Sequence, residues 1–303
     1  MGTAGPPSNL GPEVPNNDGY VRWDDRPQLR RPILVAAFEG WNDAADAAST
    51  AIGQLSQAWR ARRFAELDAE EFFDFTLTRP RVRLDDGLVR HIDWPTNELR
   101  AALLPDLSHD LVLLAGTEPQ LRWRTFCTEL VGVMRELGVE MMVTLGALLA
   151  DVAHTQPVRV TGAAADPELA ERLHLSRSRY EGPTGIVGVL ADAAGRAGIP
   201  SASLWAAVPH YVGQTPSPKA TLALLERTSE LLGVPNRPGT LQSEAVAYEA
   251  RVTELVQSDP DIAEYVAQLE RDVDEDEEPE LELSSGESLA AEVERFLRDH
   301  GPK

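Results

Sequence analysis

Basic residues are scarce in this chain. Its 303 residues include 28 lysines and arginines against 49 aspartates and glutamates, a formal net charge of −21 at pH 7. Stable association with nucleic acid or an anionic membrane needs a basic patch, so neither is an expected partner. Long apolar runs are missing as well. The strongest, Leu111–Gly116 and the stretch from Met141 to Ala150, are too short or too broken to cross a bilayer. The opening residues, MGTAGPPSNLGPEVPNNDG, lack the basic start and apolar core of a secretory signal. A single cysteine, Cys127, excludes an intramolecular disulfide and fits a reducing cytoplasm, the expected location. It sits in the helical pattern TFCTELVGVM, where a buried structural thiol is the simplest reading.

The familiar catalytic signatures are absent too. The sequence has no P-loop ending in Gly-Lys-Ser/Thr, no G-x-G-x-x-G, no G-x-S-x-G elbow, and neither H-E-x-x-H nor H-x-x-x-H. No cofactor and no metal is expected. There is no internal repeat.

What the sequence does contain is an alternation of strand-like and helix-like segments. Continuous apolar runs such as Ile33–Phe38 and Leu111–Gly116 suit buried parallel strands. Each leads through a polar or glycine-containing loop into a helical pattern, such as the alanine-rich stretch that Asn42 or Asp43 would cap. Strands alternating with helices predict a three-layer α/β/α sandwich with a mostly parallel mixed sheet. Between Phe64 and Trp94 the pattern changes to period two, in FFDFTLT, RVRLDD and LVRHIDW, with Asp86-Gly87 as a hairpin signal. A short helix is expected near Asn97–Leu103.

Residues 1–31 read as a disordered arm, with Trp23 its first anchored side chain. Residues 32–237 form the α/β core, with 64–94 as an antiparallel hairpin insertion. Residues 238–273 are C-terminal helices, 274–285 an acidic linker, and 286–303 a terminal helix and tail. The acidity is concentrated there: residues 240–303 hold 19 acidic and 5 basic side chains, a net of −14, which leaves −7 for everything before them. The run Asp274–Glu282 has the composition of a solvated linker.

The most informative motif is GPTGIVGVL, from Gly182 to Leu190. A proline-fixed turn runs directly into a helix, with Gly182 and Gly185 permitting close approach and Thr184 placed as N-cap. A helix start at the end of a strand offers free N–H groups, and open α/β sheets place their sites along that edge. The same edge should collect Glu39, Trp41 and Asp43, then Gly116, Glu118 and Arg122 with Trp123, then Gly146, then His210 and Tyr211. Glu39 and Glu118 would supply two carboxylates to the pocket, Arg122 a cation, His210 a titrating base, and Trp41, Trp123 and Tyr211 aromatic walls. Such a pocket suits a small anionic or amine-bearing molecule, or general acid–base work. Each residue also has a plain structural use: Glu39 and Asp43 at a helix start, the tryptophans in packing, His210 as a hydrogen-bonded loop residue.

Four segments taken together carry a resemblance: ILVAAFEGWNDAADAAST, LLAGTEPQLRW, GPTGIVGVLADAAGRAG and SLWAAVPHYVG. The chain resembles the bacterial, actinobacterial-type branch of the proteasome assembly chaperone 2 family over roughly Arg31 to Gly233. The resemblance implies a fold similar to purine nucleoside phosphorylase and related hydrolases. It also implies self-association, with a trimer weakly favoured, and proteasome α subunits as partners, since eukaryotic and archaeal relatives escort them during assembly. Some bacterial members have been called carboxylate–amine ligases. Proteasome activators of the family end in a hydrophobic–Tyr–any-residue tail, whereas this chain ends Asp299-His300-Gly301-Pro302-Lys303, so tail-mediated docking is not expected. Two classes of function remain open. One is a binding and assembly protein acting without catalysis. The other is a small-molecule enzyme, phosphorylase-like or carboxylate–amine ligase-like, using the strand-end pocket.

Overall fold

The computed structural model describes residues 19–85, 89–178 and 180–272. The N-terminal stretch 1–18, the acidic linker 274–285 and the terminal helix expected over 286–303 lie outside the described residues.

Eleven strands and seven α-helices follow one another along the described residues. They are β1 Val21–Trp23, β2 Ile33–Glu39, α1 Ala47–Ala58, β3 Arg62–Leu67, β4 Arg81–Asp85, β5 Val89–Asp93, β6 Asn97–Ala102 and β7 Leu111–Thr117. Next come α2 Trp123–Leu137, β8 Met141–Ala150, β9 Val160–Ala164, α3 Pro167–Leu173, β10 Ser176–Arg177 and α4 Ile186–Arg196. The last are β11 Ser201–Pro209, α5 Pro218–Leu232, α6 Leu241–Gln257 and α7 Pro260–Asp272.

Nine strands make one mixed sheet in the order β1-β3-β6-β7-β2-β8-β11-β9-β10. Parallel pairing holds the centre, β7-β2-β8-β11, and antiparallel pairing joins β1, β3 and β6 to one side and β9 to the other. Ile33 of β2 stands opposite Leu111 of β7 and Met141 of β8, so three apolar runs lie in register. Both faces of the centre are covered, which is why these strands are apolar without alternation. On one face Val35, Ala37, Leu113 and Val143 pack against α1, α3 and α5. On the other, Leu34, Ala36, Phe38 and Leu114 pack against α2 and α4. This is the α/β/α sandwich expected from the alternation, completed by α6 and α7, whose Tyr248, Val252, Val256, Val266 and Leu269 form a third apolar cluster.

Local signals account for several helix ends. Asp166 accepts from the Leu169 amide to start α3, and Ser217 accepts from Ala220 to start α5, each followed by proline. Gly138 and Gly233 end α2 and α5 in the left-handed conformation.

The structure departs from expectation in several places. Residues Asn97–Ala102 form strand β6, not a helix; Asn97, Leu99 and Ala102 are buried while Glu98 and Arg100 are not, so the pattern is closer to two than to 3.6. FFDFTLT is not a strand. Phe72 follows a single turn capped by Asp68, and Phe72 and Phe73 are buried, Phe72 meeting Phe126 edge-to-face at 5.2 Å. The segment 64–94 therefore divides: β3 joins the main sheet, and only β4 and β5 form a separate two-stranded ribbon. Part of the expected arm is a strand, since Val21–Trp23 pairs with Leu67, Glu66 and Ala65. Gly146 lies inside β8, opposite Trp205 of β11, and is not a loop. Helix α3, signalled by Asp166-Pro167, is an element the strand–helix alternation did not include.

Candidate functional site

The carboxyl ends of β7, β2 and β8 build one edge of the sheet. Glu39 stands opposite Thr117 at the last register position, and the Glu118 amide donates to the Glu39 carbonyl at 2.9 Å. The loop after β2 is held by two contacts. The Asn42 carbonyl accepts from the Ala147 amide at 2.8 Å, and Asp43 Oδ1 accepts from the amides of Ala48 and Ser49 at 2.7 and 3.2 Å. Asp43 thus caps α1, one of the two residues expected to do so. Its other oxygen is buried without a donor, and burial raises its pKa above the ordinary carboxylate value.

Glu118 has a role that local sequence could not show. Its Oε1 accepts from the Ile186 amide at 2.8 Å, across 68 residues, and so caps α4. Thr184, expected as that cap, makes no such bond; Gly185 occupies the N-cap position without a side chain to use. Gly185 is required there by close approach. A Cβ on it would stand 1.9 Å from Asn42 Oδ1 and 2.8 Å from Glu118 Oε1. Gly182 is covered by the Tyr180 ring, whose hydroxyl donates to the Pro183 carbonyl at 2.7 Å. Gly116 lies beneath Thr96 and Asn97 of β6. Trp41 is not a packing residue: it is 60% exposed at the rim.

The remaining expected members are drawn elsewhere. Arg122 starts α2, pairs with Glu71, donates to the Tyr20 hydroxyl at 2.8 Å and lies 4.7 Å over the Tyr20 ring. Trp123 donates from its indole nitrogen to the Pro119 carbonyl. His210 pairs with Asp151 at 3.0 Å, and Asp151 also accepts from Tyr265 of α7 at 3.0 Å. The Tyr211 hydroxyl accepts from the His154 amide at 2.8 Å and lies 2.9 Å from His154 Nδ1. His154 Nε2 is 3.0 Å from Thr253 Oγ1, which donates to the Glu249 carbonyl at 2.9 Å. This chain of bonds sets the tautomer: Tyr211 donates to Nδ1, and Nε2–H donates to Thr253. Lys219 joins the cluster by donating to the His154 carbonyl at 2.6 Å and to Glu249. Next to it is a cavity of about 20 Å³ lined by His154, Ser217, Lys219 and Tyr248, room for roughly one water. His210 and Tyr211 therefore hold α6 and α7 to the core.

Burial holds the pKa of His154 below the ordinary histidine value, with Lys219 acting in the same direction and Glu249 and Glu270 opposing. A histidine kept neutral by the fold contributes stability above its unfolded pKa of about 6.5, and that contribution is lost as pH falls through the lower folded value. Acidification from neutral pH is expected to loosen α6 and α7 before the core, seen as a fall in amide-exchange protection factors (observed rates corrected for the intrinsic pH dependence) over residues 241–272. His154→Gln should flatten that dependence; an acid limb unchanged in the variant would contradict the assignment.

Cys127 is buried, and its thiol is pushed up to about 12 by that burial, which suits a structural role. Among the described residues no three His, Cys, Asp or Glu side chains are grouped to hold a metal, and no helix is long and apolar enough to cross a membrane.

Comparison with known proteins places this geometry in a family. The PAC2 family model matches residues 37–256. A PAC2 family protein from Streptomyces avermitilis is 52% identical, with a TM-score of 0.73 over 78% of this chain and 99% of that one. The Mycobacterium tuberculosis proteasome-assembly chaperone homologue Rv2125 is 47% identical, with a TM-score of 0.70 over 77% of this chain and 99% of that one. The Pyrococcus furiosus archaeal proteasome activator PbaB shares the fold at 20% identity, with a TM-score of 0.64 over 78% of this chain and 97% of that one. No curated protein matches the chain. The matched span takes in the edge built by β2, β7, β8 and α4 as well as most of α6, and the chain belongs to the PAC2 family.

Proposed function

We propose that this chain is a non-catalytic assembly protein of the cytoplasm that acts through protein–protein contacts, with proteasome α subunits as its partners. The observation that carries the non-catalytic part is the dispersal of the expected catalytic set. Arg122 is committed to Glu71 and Tyr20, His210 to Asp151, and Tyr211 to His154. A phosphorylase-like or ligase-like reaction needs an anion site, and the helix start that would offer it is occupied by the chain's own Glu118. The partner is suggested by the relative at 47% identity, a proteasome-assembly chaperone homologue. Tagged full-length protein from a proteasome-containing actinobacterial cell is expected to co-purify α subunits above background. A clean preparation without them would sink the partner assignment.

The exposed apolar residues favour contact surfaces. Besides Trp41, the ribbon β4–β5 presents Val82, Leu84 and Ile92, each more than half exposed, and Trp94 stands at its base. Val82 and Ile92 are direct cross-strand partners and so share one face. A two-stranded ribbon is marginal alone, and we propose that this face supports a homo-oligomer, with three copies as the favoured number. Light scattering at micromolar concentration should give a multiple of 33.1 kDa. Replacing Val82, Leu84 and Ile92 together by serine should return the mass to one chain. A wild-type mass of one chain would end the idea.

A further inference from the structure

The base of the ribbon β4–β5 shares a cleft of about 550 Å³ with strands β1, β3 and β6 of the main sheet. Along the sheet side, Arg22 of β1 stands opposite Glu66 of β3, and Glu66 opposite Glu98 of β6. The other wall is apolar. Phe75 and Trp94 meet edge-to-face at 4.8 Å, and Ile92 continues that wall onto the ribbon. The charged part of the lining is acidic, with five carboxylates and a single cation, Arg22. Arginines reach four of the five: Arg22 meets Asp68 at 2.6 Å, and Arg63 is shared by Glu66 and Glu98 at 2.8 and 3.7 Å. Glu70 is exposed and pairs with no cation among the described residues.

The ribbon carries the complementary set. Val82 stands opposite Ile92 and Leu84 opposite Arg90, so one face bears three exposed apolar side chains and, near its outer end, a cation. Arg90 is exposed and has no partner among the described residues. We infer, on the homo-oligomer proposed above, that the cleft receives the ribbon end of a second copy, with Leu84 against Phe75 and Trp94 and Arg90 on Glu70. Apolar contact supplies the area, and the ion pair fixes the register. The chain's own terminal segments have the wrong charge for this place. Residues 1–18 carry Glu13 and Asp18 with no lysine or arginine, and residues 274–303 carry 11 acidic and 3 basic side chains. Residues 79–94 instead hold four arginines and three aspartates, in a chain whose net charge is −21. Ribbon end and cleft are different surfaces, so the contact repeats head to tail and closes as a ring, in keeping with three copies.

The test is light scattering of full-length charge-reversal variants across a concentration series. Arg90→Glu and Glu70→Arg should each raise the dissociation constant of the oligomer roughly tenfold or more, because like charges then meet. The double variant, in which the pair is restored with its signs exchanged, should return to the wild-type constant. Both side chains are exposed, so the circular dichroism of every variant should match wild type. An oligomer that ignores either reversal, or that is weakened by both and not recovered in the double variant, overturns the inference and leaves the homo-oligomer to another face. A wild-type mass of one chain ends both. If Glu70→Arg leaves the oligomer intact but abolishes binding of proteasome α subunits, the cleft belongs to that partner and the second copy is excluded from it.

Discussion

Gly116→Ala is expected to cost about 3 kcal/mol of stability, a large share of the roughly 5–15 kcal/mol that holds a domain. The added Cβ would stand 2.2 Å from the Thr96 carbonyl oxygen, 2.3 Å from Asn97 Oδ1 and 2.7 Å from Asn97 Cα. Two of these three are backbone, so no side-chain rotation relieves the clash. Strands β6 and β7 must spread where the Thr117 amide donates to Thr96 at 3.2 Å. The displacement falls directly before Glu118, so α4 should lose its cap as well. Urea unfolding followed by circular dichroism checks the cost; a midpoint equal to wild type would show that the strands part more easily than their pairing implies.

Asp110→Ala is expected to be as damaging. The Asp110 side chain is 2% exposed and accepts from the Arg30 amide at 2.8 Å, from Arg30 Nε at 3.2 Å and Nη2 at 2.8 Å, and from the Leu104 amide at 2.8 Å. Burial alone would raise its pKa, but the bonds from Arg30 and Leu104 outweigh it and hold the carboxyl below its ordinary value. Removing it strands the Leu104 and Arg30 amides, while the half-exposed guanidinium keeps the Leu104 and Leu107 carbonyls, a loss of about 3 kcal/mol. The sign with pH follows. A depressed carboxyl contributes stability above its unfolded pKa of about 3.9, and that contribution is lost as pH falls through the lower folded value. Asp110→Ala should therefore flatten the acid limb of stability, measured as the denaturation midpoint across acidic pH. An unaltered limb would mean that other carboxylates govern it.

Much of this architecture can be read from residue patterns. Ile33–Phe38 and Leu111–Gly116 are apolar because both faces of the central sheet are covered, and the ribbon β4–β5 follows its alternation. Misreading arises where pattern is ambiguous over six or seven residues. NELRAA serves either period, and pairing with both β3 and β7 makes it a strand. FFDFTLT looks like a strand, yet Phe72 and Phe73 are worth more under α2 than in a ladder. The site is less legible than the fold. The Glu118 amide meets the Glu39 carbonyl and its side chain meets Gly185, but the cap on α4 comes from Glu118, and no local rule points from residue 118 to residue 186. His210 and Tyr211 follow a strand end, as expected, and are then captured by α6 and α7, whose docking position no local pattern encodes. The unpaired oxygens of Asn42 and Asp43 depend wholly on packing and leave no trace in the sequence.

The most direct test of the assembly function is to mix the purified chain with purified proteasome α subunits and follow sedimentation. A single faster boundary containing both proteins is the result this account requires. Trp41→Ala should weaken it at least tenfold, about 1.4 kcal/mol, as removal of an exposed aromatic anchor does. Two boundaries that never merge, up to the solubility limit of either protein, would contradict it.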